Sequence, residues 1–327
     1  MKTIYLSKLR EPLEPCVATV GFFDGVHRGH QYLVRQMKDL AASKGQQITV
    51  VTFAVHPRQV LDTSWQPQLL TTLREKELLL DGLGIDDMVV LEFDHAMSQL
   101  SAYEFMQLLS RRVGARVLFT GYDNRFGRRS NEGFDDYVRY GNELGMQVVK
   151  GEPFLLEGLG VSSSMIRAFL SDGEVEMAAR CLGRPYMLSG RVVAGRQVGR
   201  QLGFPTANME CPPYAQKLIP APGVYGVKVK LHGRPELLSG MMNIGVRPTF
   251  HADNEMPSGG AVAQQGSENI KQTIETHIFD YDGNLYDQRI GVAFMFRQRS
   301  EQKFSSQTKL MAQLRKDAET IRERLRN

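Results

Sequence analysis

Two of the chain's seven histidines, His27 and His30, stand three residues apart in GFFDGVHRGHQYLVRQ, which runs from Gly21 to Gln36. On a helical turn, positions three apart project from one side. Glycines let backbone amides come close to a phosphate, and a helix N-terminus adds the positive end of its dipole. Two imidazoles set there can donate hydrogen bonds to triphosphate oxygens that gain charge as pyrophosphate leaves. That is transition-state stabilisation without a covalent nucleophile. The stretch lacks the lysine and Ser/Thr of a P-loop and is not a G-x-G-x-x-G fingerprint. A zinc site needs more ligands than two histidines, and no nearby Cys or Glu completes one. Surface histidines at a helix cap remain the plain alternative.

A second stretch, GRVVAGRQVGRQLGFPTANM from Gly190 to Met209, alternates glycine with arginine before Phe204-Pro205-Thr206-Ala207-Asn208. A flexible basic loop, with Gly195, Arg200 and Gly203 in it, can close over phosphates. Thr206 and Asn208 fall on one face of an extended backbone and offer two neutral oxygens suited to Mg²⁺ and phosphate. A β-hairpin loop stopped by proline is the alternative. Glu275, in KQTIETHIFD, offers a carboxylate that reads in isolation as an exposed strand glutamate.

The elements that must hold these residues divide the chain in two. From residue 16 to about 182, short apolar runs alternate with helical patterns. CVATVGFF, ITVVTF, MVVLEF, RVLFTG and MQVVKGEPF read as strands buried on both faces. QYLVRQMKDLAASKG, LREKELLLDGLG, SAYEFMQLLSRRVG and DDYVRYGNELG read as helices with glycine stops. This order predicts right-handed crossovers and a mostly parallel, doubly wound α/β sheet. The histidine motif then sits where the first strand meets the first helix, at the carboxyl end of the sheet. SMIRAFLSDG and EVEMAARCLG read as two short helices closing this half. After GRPYMLSG the rhythm changes to YMLSGRVVAG, GVYGVKVKLHG, ELLSGMMNIG, KQTIETHIFD and RIGVAFMFRQ, strands with no helices between them. They predict a small antiparallel barrel, with QTKLMAQLRKDAETIRERL as an amphipathic helix packed on it. The junction divides the chain into 1–183 and 184–327.

GFFDGVHRGH resembles the H-x-G-H signature of the nucleotidyltransferase superfamily. TFAVHPRQVL, GYDNRFG and VSSSMIR follow in the order found in the FMN adenylyltransferase half of bacterial bifunctional riboflavin kinase/FAD synthetases. GRQLGFPTAN resembles the riboflavin kinase signature, followed by APGVYGV, NIGVRPTF and ETHIFDYDGNLY. The resemblance runs from about residue 10 to 325. It implies a Rossmann-like domain and a six-stranded barrel. The expected activities are ATP-dependent phosphorylation of riboflavin to FMN, then adenylylation of FMN to FAD with release of pyrophosphate, with Mg²⁺ as metal. By the same resemblance, His27 and His30 would contact the ATP phosphates. Gly21, Phe22, Asp24 and Gly29 would shape the pocket floor, and Asp123 would sit near a phosphate. Ser163, Ser164 and Arg167 would bind triphosphate, while His56 reads as a loop cap. In the barrel, Glu275 would be the general base, Thr206 and Asn208 the metal ligands, and Gly195, Arg200, Gly203, Phe204 and Pro205 the nucleotide loop. Three departures from the family pattern stand out. Asn124 replaces the usual aromatic, Asn284 and Asp287 stand where Asp and Gly are common, and the segment from His251 to Ile270 reads as an inserted loop.

Composition fits an ordinary soluble globular protein of two domains: of 327 residues, 42% are hydrophobic and 23% charged. No apolar run reaches the length of a membrane helix, and MKTIYLSKLREPLEP has no signal-peptide core. Three scattered cysteines fit a reducing cytoplasm. A net charge of +4 without basic blocks gives nucleic acid no particular support as a partner; small anionic ligands explain it equally well, and a solvated mixed-charge surface is the plain reading. A homo-oligomer is left open. The competing readings are a nucleotidyltransferase with another acceptor and a flavin-binding regulator without catalysis. The intact histidines and Glu275 argue against the second, and the kinase-like barrel against the first.

Overall fold

A computed structural model of the chain describes residues 1–122, 124–128, 132–195, 199, 203–212, 216–247 and 271–326. The expectations for Asp123, Arg200 and the 251–270 insertion lie outside these residues. The chain separates into two compact units. The first runs from Met1 to Arg167 and takes in Cys181–Gly183 and a short stretch around Lys217. The second takes in Ala168–Arg180 and the chain from Arg184 onward apart from that short stretch.

The first unit is built on a parallel sheet of β1 (Lys2–Tyr5), β2 (Cys16–Val20), β3 (Gln47–Phe53), β4 (Asp87–Leu91), β5 (Ala115–Thr120) and β6 (Gln147–Lys150). Their order is β1-β4-β3-β2-β5-β6, so the winding reverses between β2 and β5. β2 and β4 are buried at every residue, as expected of central strands covered on both faces by helices. Successive side chains divide between two cores. Ala18, Val89 and Leu91 pack with Phe105, Met106 and Leu109 on one face. Val17, Val50 and Val90 pack with Val34, Met37 and Ala41 on the other. The second group of helical residues lies on α1 (Arg28–Lys44), which ends at Gly45 in the left-handed conformation, φ 61°. After β3 come α2 (Pro57–Leu61) and α3 (Leu73–Gly82), the latter opened by a capping box of Thr72 and Glu75. α4 (His95–Ser98) and α5 (Ala102–Leu108) precede β5, and α6 (Phe134–Leu144) precedes β6.

Two edges differ from the sequence reading. β6 was expected to be buried on both faces but is an edge strand with exposed ends. β1 went unread, because its four residues, one exposed and three half-buried, carry no apolar run; it pairs with β4 from Lys2↔Asp87 to Tyr5↔Val90. A small hairpin, β7 (Leu155–Leu156) and β8 (Leu159–Gly160), was also unread.

α7 (Ser163–Asp172) and α8 (Val175–Leu182) form where two short helices were expected. From Ala168 to Arg180, however, they belong by contact to the second unit and do not close the first. There the amide of Ala221 donates to the Leu170 carbonyl at 3.0 Å, and Arg297 donates to the Asp172 carbonyl at 3.0 Å.

The second unit contains a closed barrel: β9 (Tyr186–Val193), β10 (Ala207–Glu210), β11 (Gly223–Leu231), β12 (Leu237–Arg247), β13 (Lys271–Ile278) and β14 (Arg289–Ser300). The order is β10-β13-β12-β11-β14-β9, closed through the β10–β9 pairing. β9 alternates buried and exposed residues along its length. Leu188, Tyr225, Met242, Ile274 and Phe294 fill the interior. Periodicity alone marked five strands. The sixth, β10, is the tail of the PTANM signature, too short to show alternation. α9 (Gln307–Arg326) lays Ala318 and Ile321 on an outer face made by Val224, Met241 and Phe296. Its buried Asp317 accepts from Arg299 of β14 at 2.8 Å. Among the described residues, no helix is long and apolar enough to cross a membrane.

Candidate active sites

The histidine motif leaves β2 beside the point where the sheet's winding reverses, the usual ligand crevice of an open α/β sheet. Asn124, following β5, reaches across it and donates its side-chain amide to the Val20 carbonyl at 2.6 Å. The residue that departs from the family's aromatic thus ties the two diverging strand ends together. The turn between Gly21 and His27 is unusual in its backbone: Phe23, Gly25 and Val26 have φ of 53°, 79° and 40°. Left-handed non-glycine residues store strain that the surroundings must hold.

Asp24 does much of that holding. Its carboxylate is 3% exposed and accepts the Leu70 amide on both oxygens at 3.0 Å, the Thr71 amide at 3.0 Å and the Thr71 hydroxyl at 3.2 Å. It also accepts from Arg167 Nη2 at 2.5 Å. Arg167 Nε donates in addition to the Gln68 carbonyl at 2.8 Å. Asp24 therefore points inward and orients Arg167, where the sequence reading put it on the pocket floor. The Ser163 hydroxyl donates to the Asp24 carbonyl at 2.9 Å, while Ser164 is exposed at the start of α7.

His27 caps α1 and is buried; His30 follows on its first turn, half-buried. Their rings stack with centroids 3.7 Å apart at 22°. Burial, then His27, then Lys76, hold the His30 pKa well below the ordinary histidine value, so the ring is neutral at pH 7. A Cβ at Gly29 would come to 3.0 Å from the His27 ring and 3.2 Å from the Val161 carbonyl, so a side chain there would crowd the histidine pair. Phe22 meets His56 edge-on at 4.6 Å. His56 accepts the Arg58 amide on Nδ1 at 3.2 Å, which leaves its other ring nitrogen as the proton-bearing one. Burial first, then Arg167, lowers the His56 pKa as well.

Two parts of this region were not singled out from sequence. One is Lys76 of α3, described below. The other is a pocket of about 470 Å³ walled by Phe53, Phe93, Met97, Leu100, Phe105 and Phe126. Its walls come from the end of β3, from the segment between β4 and α5, from α5 and from the stretch after β5, so no local pattern announces it. The signal available was an aromatic at or just past the end of a strand run, as in VVTF and VLEF.

The second site lies in the barrel unit. Asn208 of β10 is paired directly with Glu275 of β13, which is paired on its other side with Asn243 of β12. Directly paired residues share a face, so the three side chains form a row. Thr206, two residues before Asn208, donates its hydroxyl to Glu275 Oε2 at 3.4 Å. The Phe204 amide donates to the Gly199 carbonyl at 2.8 Å, and His277 Nδ1 bonds the Pro205 carbonyl at 2.8 Å. These contacts fix the chain leading into Thr206. A Cβ at Gly195 would sit 2.1 Å from the Asn208 amide, so glycine is needed for this approach. Gly203 takes a left-handed φ of 79°. Beside Thr206 opens a pocket of about 370 Å³ walled by Pro205, Ala207, Thr276, Tyr281, Leu285 and Tyr286. Asp287, standing where the family often has glycine, adopts φ 65°, the conformation glycine takes freely. Asn284 accepts the Tyr286 amide at 3.0 Å, closing the same turn.

The donor set of Thr206, Asn208 and Glu275 is all oxygen apart from the amide nitrogen. It suits a hard cation that keeps most of its ligands from water and phosphate. No cluster of three or more His, Cys, Asp or Glu able to hold a metal occurs among the described residues.

Residues 9–165 match the FAD synthetase family model, and residues 182–325 match the riboflavin kinase model. A bifunctional riboflavin kinase/FMN adenylyltransferase from Escherichia coli K12 is 34% identical over 313 residues, covering 95% of this chain and 93% of its own. Its counterpart in Pseudomonas fluorescens is 35% identical over 318 residues, 97% of this chain and 95% of its own. That of Bacillus subtilis is 32% identical over 326 residues, 97% and 96% respectively. A solved structure described as a macrolide-efflux protein from Streptococcus pneumoniae superposes with a TM-score of 0.84 at 28% identity, covering 98% of this chain and 99% of that one.

Proposed function

The chain belongs to the bifunctional riboflavin kinase/FMN adenylyltransferase family, and from that premise we propose how its two sites divide the work. It is a riboflavin kinase and an FMN adenylyltransferase: it phosphorylates riboflavin with ATP to FMN, then joins FMN to AMP from a second ATP, giving FAD and pyrophosphate. We assign residues 184–327 to the first reaction and 1–183 to the second, in line with the spans of the two family matches.

In the barrel, Glu275 takes the proton of the ribityl 5′-hydroxyl as that oxygen bonds the γ-phosphorus and ADP departs. The observation that carries this is the pairing of Asn208 with Glu275, with Thr206 in hydrogen-bond reach of the same carboxylate. Thr206 and Asn208 would hold Mg²⁺ together with the ATP phosphates, and the ion when bound neutralises phosphate charge. Gly195, Gly203, Phe204 and Pro205 shape the loop over the nucleotide, and the pocket beside Thr206 receives the nucleotide base. In the sheet unit, the FMN phosphate is the nucleophile and is already anionic, so no base is needed. His27 and His30 donate hydrogen bonds to phosphate oxygens as pyrophosphate leaves, and Arg167 holds the triphosphate from the fixed angle that Asp24 gives it. Gly21, Phe22 and Gly29 form the bare floor of this cradle, and Ser163 and Ser164 complete it from α7. The aromatic pocket takes the isoalloxazine ring: planar, apolar-walled and of fitting volume.

We read the protein as cytoplasmic, acting on small molecules without nucleic acid or membrane as partner; the Cys16 and Cys181 side chains are buried. The efflux name of the Streptococcus pneumoniae relative does not transfer, since both halves of this chain match flavin-synthesising families. Incubation of the purified protein with riboflavin, ATP and Mg²⁺, followed by chromatography of the flavins, tests the assignment. FMN followed by FAD is expected; neither product would remove it.

A further inference from the structure

A lysine buried away from water needs a reason, and Lys76 is 2% exposed. It lies on the apolar stripe of α3, where Leu80, one turn on, is fully buried. Its ammonium donates to the Thr52 hydroxyl at 3.2 Å, and that hydroxyl donates to the Phe22 carbonyl at 3.2 Å. The same ammonium sits 4.1 Å from the centre of the Phe22 ring. Phe22 is thus held twice by one side chain, at its ring directly and at its backbone through Thr52. The ring so held is the one that meets His56 edge-on at 4.6 Å. No carboxylate makes an ion pair with Lys76 among the described residues, and Asp24, the acid that acts on it through space, is taken by Arg167, Leu70 and Thr71.

We propose that Lys76 is a positioning residue of the adenylylation site: from beneath the turn it fixes Phe22 and supplies a buried positive charge that faces the triphosphate. The proposal rests on reading this site as the adenylylation centre. Lys76 and Arg167 against Asp24 leave the turn with one excess positive charge, in a place water does not screen. The charged and titratable groups facing it are Asp24, Arg167, His27, His30 and His56, with Arg58 next to His56. Among these, His30 and His56 have their pKa values lowered in part by Lys76, after the larger effect of burial. Burial lowers the pKa of Lys76 itself from 10.5 to about 8, so it is charged at neutral pH at a cost to folding. A side chain retained for packing alone has no use for that cost.

The test compares Lys76→Met, of similar length without charge, with Lys76→Arg, both in the full chain. Riboflavin phosphorylation by the barrel serves as the internal control and is expected to stay within twofold in both. Lys76→Met is expected to lower kcat/KM for FMN adenylylation at least tenfold and to move the acidic limb of its pH profile upward. Its melting temperature should hold or rise, because a costly buried charge is gone. Lys76→Arg should keep most of the adenylylation. The proposal is overturned if Lys76→Met makes FAD within twofold of the parent. It is overturned equally if adenylylation falls only together with melting temperature, or if the arginine and methionine variants lose it alike. A parent protein that makes FMN but no FAD would instead remove the reading of the site.

Discussion

Asp24→Asn separates structural anchoring from catalysis at one position. The amide oxygen can replace Oδ1, which accepts from the Thr71 amide and hydroxyl and shares the Leu70 amide. The amide nitrogen then faces Arg167 Nη2 where a carboxylate oxygen stood at 2.5 Å. Two donors confront each other, and one charge-assisted bond is lost, worth about 1.5–3 kcal/mol. Arg167 is 26% exposed and can turn toward water, which keeps the loss near the lower end. We expect the first unit to lose about 2 kcal/mol, a drop in melting temperature of roughly 4–8 °C for a unit of this size. Scanning calorimetry on the full chain would measure it. With Arg167 no longer aimed, FMN adenylylation should fall about 10- to 100-fold, whereas riboflavin phosphorylation at 25 °C is unchanged. A shift under 1 °C would mean that Asp24 does not hold the turn. In a double-mutant cycle with Arg167→Ala, the coupling energy should be about 2 kcal/mol; additive losses would refute the pairing.

Other outcomes follow from the same geometry. Glu275→Gln keeps the size and the contact with Thr206 but cannot take a proton, so FMN formation should fall about 10²- to 10⁴-fold while supplied FMN still becomes FAD; equal loss of both would contradict separate sites. His30→Ala should cost adenylylation about 10²- to 10³-fold. In the parent protein, NMR titration should find the His30 ring still neutral where a free histidine is already protonated, because its folded pKa lies below the unfolded value; the penalty for protonating it destabilises the first unit only as pH falls through that unfolded value. Phe93→Ala opens one wall of the aromatic pocket, where Phe93 meets Phe53 at 5.6 Å. It should raise KM for FMN about tenfold without changing KM for riboflavin in the kinase reaction, and a change in both would place the flavin elsewhere.

What could be read from the sequence was whatever is local. The strands CVATV, ITVVTF and MVVLEF declare themselves because central parallel strands are apolar throughout, and the switch to antiparallel rhythm after Gly190 declares the barrel. GFFDGVHRGH is legible because glycines, histidines and helix start are contiguous. What could not be read depends on partners far along the chain. Asp24 is anchored by Leu70 and Thr71, 46 and 47 residues away, and by Arg167, 143 away. Phe53, Phe93, Phe105 and Phe126 each sit in a different segment and become a pocket only on folding. Lys76 was visible as a lysine within an apolar helical stripe, but such a lysine ordinarily extends its head to water, and only the packing of Phe22 over it shows otherwise. β1 and β10 failed for a simpler reason: at four residues each they are too short for a period of two to be counted.

The shortness of β10 has a consequence of its own. The barrel is completed by this strand alone, and its seam to β13 rests on Ala207↔Thr276 and Asn208↔Glu275. The residues proposed to handle phosphate and proton are therefore also the last stitch of the wall. A barrel that gapes at this seam still has a well-packed interior along β11, β12 and β14, but its general base has lost its neighbour. Genetic drift in the kinase half is thus screened by turnover before it is screened by folding: a substitution that loosens the seam silences the reaction in a protein that still looks folded to a chaperone or a protease.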